Sequence, residues 1–323
     1  FFYMEDQKGT LEQCVERLKT IVFQDGLGTM HDKVLRVQAA AMQLGKTLQA
    51  DAAVLAQVER TAYLAKADLV TGMVCEFTEL QGIMGREYAK LNGEDAAVAE
   101  GIYEHYLPRF AGDELPQGTP GRLVSIADKL DNIVATFSRG LIPTGSQDPY
   151  ALRRQAQGIL STLLAAPYAF SLRTMVQYAL EQLKLTDEAV QEKLQQEVAE
   201  FFRLRLKNLL LEQNVRYDVV DAILEGDTDV LYESWLKAQA LVAAEEDSLK
   251  KAVQALTRAA NLVKHATRDE IKETSFVADE EKTLYAAYQK AASGVAGGSQ
   301  QRDYAQVLAE LTTLADPIHA FFE

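Results

Sequence analysis

The sequence has few cysteines and no long apolar run. Its 323 residues include only two cysteines, Cys14 and Cys75, which stand in unrelated contexts. This number excludes a disulfide framework and a zinc site built from thiolates, and it fits a reducing compartment. No stretch of about 18 apolar residues is present, so no membrane-spanning helix is expected. No secretory leader pattern opens the chain, and we expect a cytoplasmic protein.

Positive charge is also scarce. Lysine and arginine total 33 against 47 aspartates and glutamates, which gives a formal net charge of −14. Because phosphate groups bind to positive charge, this composition argues against a general nucleic-acid binder. An RNA-binding surface on this chain must therefore be a local basic patch on an acidic body. The hydrophobic content of 48% allows a large core, and the length favours more than one domain.

Strand-like alternation is missing as well, and helical patterns prevail along the chain. Thr10 and Gln13 have the spacing of a capping box, and a second helix is predicted to begin after Asp32. Clustered prolines and glycines between about 107 and 150 predict ordered loops around one helix at about 122–138. The pattern predicts an all-α fold.

The second half of the chain is almost free of proline. None occurs between Pro167 and Pro317, and the stretch is rich in good helix formers. We predict a set of long helices here, with a flexible connection at the glycine-rich residues 294–299. The change in composition predicts a domain boundary that separates residues 1–165 from residues 166–323.

Three long irregular blocks stand out in the first half of the chain. The first is KADLVTGMVCEFTELQGIMGREYA at residues 66–89. The second joins EHYLPR at 104–109 to ADKLD at 127–131, and the third is PTGSQDPYALRR at 143–154. Together these blocks resemble the β subunit of bacterial two-subunit glycyl-tRNA synthetases. Beyond residue 165 the resemblance is mainly one of layout.

The resemblance implies an HD-like helical domain followed by a helical, DALR-like anticodon-binding domain. It implies the tRNA-binding part of the β subunit of a heteromeric glycine–tRNA ligase, with no active site of its own and no activity in isolation. The implied partners are glycine tRNA and a separate α subunit, on which ATP and magnesium are expected. Family members have more sequence before the position of Phe1, so we expect this chain to be part of a longer one.

Three positions match, through this resemblance, the metal ligands of HD phosphohydrolases: Asp68, His105 and Asp128. In such enzymes the cluster binds divalent metal and lowers the pKa of bound water. Ala67 stands where the pattern requires a histidine, so we expect no bound metal and no phosphohydrolase activity. The literal His-Asp dipeptide at 31–32 is interpreted as a helix start with the aspartate as N-cap.

Two other functions remain open at this point. One is a standalone HD-type metal-dependent phosphohydrolase, and the other is a structural scaffold that docks the catalytic α subunit. The missing histidine argues against the first, and a basic helical face would favour RNA binding over the second. The carboxylate pairs Glu76 with Glu79 and Asp128 with Asp131 are interpreted as solvated helix surface rather than as acid–base pairs.

Two adjacent arginines, Arg153 and Arg154, follow a loop rich in proline and glycine at a predicted helix start. The planar guanidinium group is well suited to phosphate. A cation is disfavoured by the helix dipole at this end, which favours an external anionic partner. Pairing with Asp148 or another local carboxylate is the alternative.

A helix is predicted over residues 201–214, at the opening of the second domain. Arg203 and Lys207 are four residues apart and share a face, which makes them candidates for RNA contact. The alternative is a solvated face on which the long side chains cover apolar surface.

A further helix is predicted over about residues 250–272, with a basic edge within an arc of roughly 80°. The resemblance places a basic, asparagine-containing helix of the anticodon-binding domain here. The alternative is a solvated face neutralised by Glu270 and Glu273. The predicted RNA-binding residues are Lys251, Arg258, Asn261, Lys264, His265 and Arg268, with Lys272 on the same edge. The predicted core face consists of Val253, Leu256, Ala259, Ala260, Val263 and Ile271.

Overall fold

The structure, a computed structural model, describes residues 1–267 and 270–323. Within these two ranges every regular element is a helix, and the only bridges are Val22 with Thr29 and Thr144 with Gln147. The all-α prediction is confirmed for the described residues. The α-helices are α1 Phe2–Asp6, α2 Leu11–Arg17, α3 Met30–Thr47, α4 Ala52–Leu64, α5 Gly72–Glu76, α6 Ile83–Leu91, α7 Ala96–Glu104, α8 Thr119–Ser138, α9 Leu152–Ala165, α10 Leu172–Gln182, α11 Glu188–Glu212, α12 Tyr217–Glu225, α13 Leu231–Ala243, α14 Glu246–Val263, α15 Asp279–Gln300, α16 Tyr304–Thr312 and α17 Ala315–Phe322. Short 3₁₀ turns lie at Leu18–Thr20, Ala67–Val70, Thr78–Leu80 and Glu273–Ser275.

The chain packs as two compact units. Unit 1 contains residues 1–208 and the short segment 229–232, and unit 2 contains residues 209–228 and 233–323. The HD-like and anticodon-binding domains predicted on either side of residue 165 stay predictions. Among the described helices, none has the length and apolar character needed to cross a membrane.

Segment 229–232 belongs to unit 1, where Asp229 caps the start of α10. The Asp229 carbonyl accepts the N–H of Leu172 at 2.8 Å, and its carboxylate accepts the Arg173 N–H at 2.8 Å. The Ser171 hydroxyl donates to the same carboxylate at 2.6 Å. The first N–H groups of a helix lack intrahelical partners, so these bonds stabilise the start of α10.

Helix α8 lies at the centre of unit 1. Gly118 precedes it, and Pro120 lies in its first turn, where the missing N–H of proline costs little. Helices α3, α4, α7 and α9 all pack against it. Its fully buried apolar side chains, which include Leu123, Ile126 and Phe137, each contribute about 1.5–3 kcal/mol on burial. Because helices cover α8 on several sides, it buries polar residues as well as apolar ones.

Capping boxes determine where α2 and α3 begin. Thr10 and Gln13 form the predicted box of α2. In α3 the box consists of Thr29 and Asp32, so the prediction of Asp32 as N-cap is wrong. The Thr29 side chain accepts the Asp32 N–H, and the Asp32 carboxylate accepts the Thr29 N–H at 2.8 Å. This reciprocal pair moves the helix start to Met30.

Two predictions about the extent of helices are wrong. The helix predicted over 201–214 is the second half of α11, which begins at Glu188. The flexible connection predicted at 294–299 lies inside α15, which runs to Gln300. The glycines there permit close approach of α16, because a Cβ atom on Gly298 would lie only 2.9 Å from Val307 Cγ2.

The helix predicted over 250–272 is also shorter than expected, because α14 ends at Val263. The predicted core residues Val253 and Val263 are 55% and 69% exposed, and Ile271, beyond the helix end, is 55% exposed. The face of α14 that packs inward is instead centred on Ala255, because α16 and α17 pack against this helix. Ala255 packs in a cluster with Ala291, Leu314, Ala315 and Ile318.

The two adjacent glycines of α15 give a matched test of this packing. A Cβ atom on Gly297 would meet nothing within 4 Å, whereas one on Gly298 would meet Val307 and the Asp303 carbonyl at 3.1 Å. We expect Gly297→Ala to stabilise the protein by up to about 1 kcal/mol through helix propensity. We expect Gly298→Ala to destabilise it by about 1–3 kcal/mol through overpacking. Urea denaturation of both variants checks this, and equal effects of the two substitutions would contradict it.

Candidate functional site

Helix α8 carries three charged side chains into the core of unit 1. Asp128, Lys129 and Asp131 are only 5%, 5% and 3% exposed. The interpretation of Asp128 and Asp131 as solvated surface is therefore wrong. Glu76 and Glu79 also fail to form a helical pair, because α5 ends at Glu76. Buried charges are costly unless they are paired and hydrogen-bonded, so the partners of the α8 residues decide what this region does.

Asp131 is neutralised by two cations from α3. Lys33 Nζ lies 2.8 Å from Asp131 Oδ2. Arg36 donates from Nε to Oδ1 at 2.8 Å and from Nη2 to Oδ2 at 3.1 Å. This two-point contact is the strong form of an arginine–carboxylate pair. It fixes α3 against α8 within the core.

Asp128 lies between two ammonium groups. Lys66 Nζ is 3.1 Å from Asp128 Oδ2, and Lys33 Nζ is 3.3 Å from Asp128 Oδ1. Burial alone would raise the pKa of Asp128, but the charges of Lys66 and Lys33 hold it well below its usual range. Asp128 is therefore an anion at every physiological pH. We call Lys33, Arg36, Lys66, Asp128, Lys129 and Asp131 the charge cluster.

Lys129 faces neutral oxygen atoms. Its Nζ donates to Ser125 Oγ at 2.7 Å, to the Leu107 carbonyl at 2.9 Å and to the His105 carbonyl at 3.2 Å. Burial lowers the pKa of Lys129 to about 7. These bonds hold the loop after α7 against α8, so the cluster joins several elements through polar contacts.

Asp68 lies in the 3₁₀ turn that follows Lys66, and it is fully buried. Its Oδ2 accepts the N–H groups of Gly82 at 2.7 Å and Gly85 at 2.9 Å. Burial raises the pKa of Asp68 to about 6, although these two hydrogen bonds act in the opposite direction. Gly82 has a φ of +81°, and a Cβ atom there would lie 2.6 Å from the Tyr106 ring. Glycine is thus required at this position for both conformation and space.

His105 is fully buried beside Tyr106, and the centroids of the two rings are 3.9 Å apart. His105 Nδ1 contacts the carbonyl of Ile102. Burial, together with the charge of Lys66, lowers the pKa of His105 well below its usual value. The imidazole is therefore neutral near pH 7. Lys66 Nζ also lies 4.1 Å above the Tyr106 ring, within the range of a cation–π contact.

The three positions that the resemblance assigns to HD metal ligands do not fit a divalent ion. Asp68 Oδ1, His105 Nε2 and Asp128 Oδ1 are buried and have no hydrogen-bond partner in the described part of the chain, which is the feature that most favours a metal. However, Lys33 and Lys66 already place two positive charges against Asp128, and these would repel a cation. Among residues 1–267 and 270–323, no three His, Cys, Asp or Glu side chains are arranged to hold a metal ion.

The predicted RNA-binding residues of unit 1 have different surroundings. Arg154 is exposed at the start of α9, and Arg153 is half-buried beside it. Asp148 does not pair with their guanidinium groups but accepts the N–H of Arg153 at 3.0 Å, which caps α9. Arg203 pairs with Glu200 at 2.8 Å, and Lys207 is half-buried on the same helix. Arg203 thus has a local acidic partner, which the sequence did not indicate, while Arg154 stays solvent-accessible.

The predicted residues of unit 2 lie on and just after α14. Lys251 and Arg258 are exposed and share a helical face. Arg258 packs 4.4 Å above the Phe322 ring and 3.3 Å from His319 Nδ1. Because α14 ends at Val263, the predicted basic edge does not continue as a helix. Asn261 accepts a hydrogen bond from Lys264 at 3.1 Å, His265 and Lys272 follow the helix end, and Arg268 lies outside the described residues.

No pattern in the sequence indicated a role for four cations of the cluster, Lys33, Arg36, Lys66 and Lys129. A charged residue on a helix usually faces solvent, so their types and spacing did not indicate burial. One signal was available, since Lys66 and Lys129 each lie within two residues of an aspartate that the resemblance had marked.

Fold and site together define an all-helical protein whose buried centre is neutralised by its own lysine and arginine side chains. A family model described as glycyl-tRNA synthetase beta subunit matches residues 1–225. Three glycine–tRNA ligase beta subunits align with the whole of this chain. That of Desulforamulus reducens is 44% identical over 326 residues, with 47% of its own length covered. Those of Bacillus subtilis and Clostridioides difficile are each 42% identical over 324 residues, with 46% and 47% covered.

The chain therefore belongs to the glycyl-tRNA synthetase beta subunit family. It spans about half the length of the curated relatives it matches. The resemblance found in the sequence is confirmed at the level of the family.

The raised pKa of Asp68 predicts that ionisation of this carboxyl group lowers the stability of the folded protein in a pH-dependent way. A carboxyl group whose pKa is about 6 when folded, against its ordinary value of 3.8, binds protons more tightly in the folded state. Its cost to stability therefore grows as pH rises from about 4 to about 6 and is complete above that range, at about 3 kcal/mol. We expect Asp68→Asn, which keeps an acceptor for Gly82 and Gly85, to gain stability relative to wild type across this range.

The measurement is the free energy of unfolding in urea at several pH values between 4 and 7. Glu76→Gln, at an exposed position, is the matched control and should show no such trend. A difference between Asp68→Asn and wild type that does not change with pH would contradict the prediction.

Proposed function

We propose that this chain is the tRNA-binding part of the beta subunit of a heteromeric glycine–tRNA ligase, with no active site of its own. The observation that carries the proposal is its similarity, over its full length, to proteins named as glycine–tRNA ligase beta subunits. Glycine tRNA and a separate α subunit are its proposed partners in the cytoplasm. ATP, magnesium and glycine are proposed to bind to the α subunit.

The charge cluster supports the absence of a catalytic centre. Asp68, His105 and Asp128 are buried, and Lys33 and Lys66 neutralise Asp128. A phosphohydrolase needs a metal-bound water beside an accessible phosphate site. These residues fit a structural role better, which disfavours the alternative of an HD-type phosphohydrolase.

The basic residues that support RNA binding are those without a local acidic partner. Lys251 on α14 forms no ion pair with any described residue, in contrast to Lys250, which pairs with Glu246 at 2.7 Å. Arg258 shares the face of Lys251 and is oriented by its contact with Phe322. In unit 1, Arg154 is likewise exposed and forms no ion pair with a described residue. On a chain of net charge −14, unpaired cations are the positions where a phosphate is best accommodated.

Lys251→Ala and Arg258→Ala test this surface. Each variant should weaken the binding of a glycine tRNA transcript and reduce the salt slope by about one unit, because one phosphate contact is lost. Lys250→Ala is the matched control, since its ammonium is already paired, and it should bind with unchanged affinity. Titrations at several salt concentrations, with an unrelated tRNA for comparison, provide the readout.

Circular dichroism verifies that helix content is retained, which matters for Arg258 because it also contacts α17. Unchanged affinity and salt slope in the double variant would assign this face to solvent. Binding of the α subunit without any binding of tRNA would favour the scaffold alternative.

The isolated chain should not form glycyl-adenylate. Class II activation uses an antiparallel sheet whose arginines hold ATP, and the described residues contain no β-strand, only two isolated bridges. We expect glycine-dependent pyrophosphate exchange to stay at background with the pure chain, and likewise no hydrolysis of nucleotides with magnesium or manganese. Exchange above background would contradict the assignment of a non-catalytic part.

A further inference from the structure

Lys66 is surrounded by the groups that the resemblance associates with a metal. It is 8% exposed, and its Nζ lies 3.1 Å from Asp128 Oδ2 and 4.1 Å above the Tyr106 ring. Its charge also acts on Asp68 and on His105. The Lys66 side chain, which precedes Asp68 by two residues, thus lies against Asp128, one of the three positions that the resemblance marks.

The number of positive charges around Asp128 equals that of a divalent ion. Asp128 has two ammonium groups within 3.3 Å, one from Lys33 and one from Lys66. Together they supply two positive charges, which is the charge of one divalent ion. Lys33 also contacts Asp131, which brings a second carboxylate into the same network. A divalent ion that bridged these elements would provide the same neutralisation and the same cross-link.

We propose that the ammonium groups of Lys33 and Lys66 take the place of a divalent metal ion in this centre. The cross-link holds α3, the turn at Ala67–Val70 and α8 together with charges that the chain itself supplies. This inference concerns the stability of unit 1 and is independent of the proposed role in tRNA binding.

Lys66 is one of the two cations that keep a metal ion away from Asp128. Asp68 Oδ1, His105 Nε2 and Asp128 Oδ1 are the ligand-type atoms of this region that lack a hydrogen-bond partner among the described residues. If the Lys66 ammonium is removed, these two oxygens and one nitrogen become donors with one cation fewer beside them. Lys33 remains, 2.8 Å from Asp131 Oδ2 and 3.3 Å from Asp128 Oδ1, so one cation still lies beside these atoms. A Lys66→Ala variant should therefore acquire an affinity for divalent ions that the wild-type chain lacks.

The experiment measures thermal unfolding of the full chain with EDTA and with excess Mn²⁺ as the probe. The wild-type midpoint should not change between the two conditions, and elemental analysis should find no stoichiometric metal. In Lys66→Ala, Mn²⁺ should raise the midpoint by on the order of 5 °C, because an ion that binds only the folded state stabilises it. Lys46→Ala, at an exposed position on α3, is the control and should not respond to Mn²⁺.

A second pair of variants tests the charge balance itself. Lys66→Met leaves Asp128 with one ammonium fewer and should lower the midpoint by on the order of 10 °C, since one partner of a buried pair is lost. Lys66→Met combined with Asp128→Asn removes both charges and should recover most of that loss. If the single variant does not fold, the double variant and the wild-type measurements still decide the question.

Three results would overturn the proposal. They are a wild-type chain that contains stoichiometric metal or loses stability in EDTA, a Lys66→Ala variant whose midpoint does not respond to Mn²⁺, and a double variant that is less stable than Lys66→Met alone.

Discussion

The organisation of unit 1 depends on one electrostatic constraint, the neutralisation of Asp128 and Asp131 inside the core. Helix α8 brings both carboxylates into a region where an unpaired charge is not tolerated. Lys33 and Arg36 come from α3, and Lys66 comes from the turn after α4. Correct placement of these elements is therefore required by charge as well as by apolar packing. The ion pairs add a condition on the register of these helices, because each carboxylate must face its own cations.

The same constraint separates the interior of the chain from its surface chemistry. The buried residues that the resemblance relates to catalysis are engaged in holding the fold. The basic residues on α9 and α14 that remain without an acidic partner, such as Arg154 and Lys251, are exposed. These exposed cations are the residues on which the proposed binding of tRNA depends.

Sequence reasoning succeeded where a residue's role depends on its near neighbours. The capping box at Thr10 and the helix predicted at 122–138, observed as Thr119–Ser138, are set by local patterns. It failed where partners that are distant in the sequence determine whether a residue is buried and paired. The partners of Asp131 and Asp128 lie 98 and 62 residues away in the chain, and no local pattern marks such pairs. The glycines near Gly298 resembled a linker in the sequence. Their role depends on α16, which packs against them, and nothing in the glycine-rich segment itself indicates that contact.

The cap that Asp229 places on α10 affects how the chain folds during synthesis and how it could be cleaved into its two units. Unit 1 contains residues 1–208 together with 229–232, so the polypeptide leaves this unit and returns to it before it leaves again. During translation, the start of α10 therefore waits for its cap until residue 229 has emerged from the ribosome. No single peptide-bond cleavage separates the two units into complete pieces. The covalent order of the chain thus makes unit 1 depend on a segment that is flanked on both sides by unit 2.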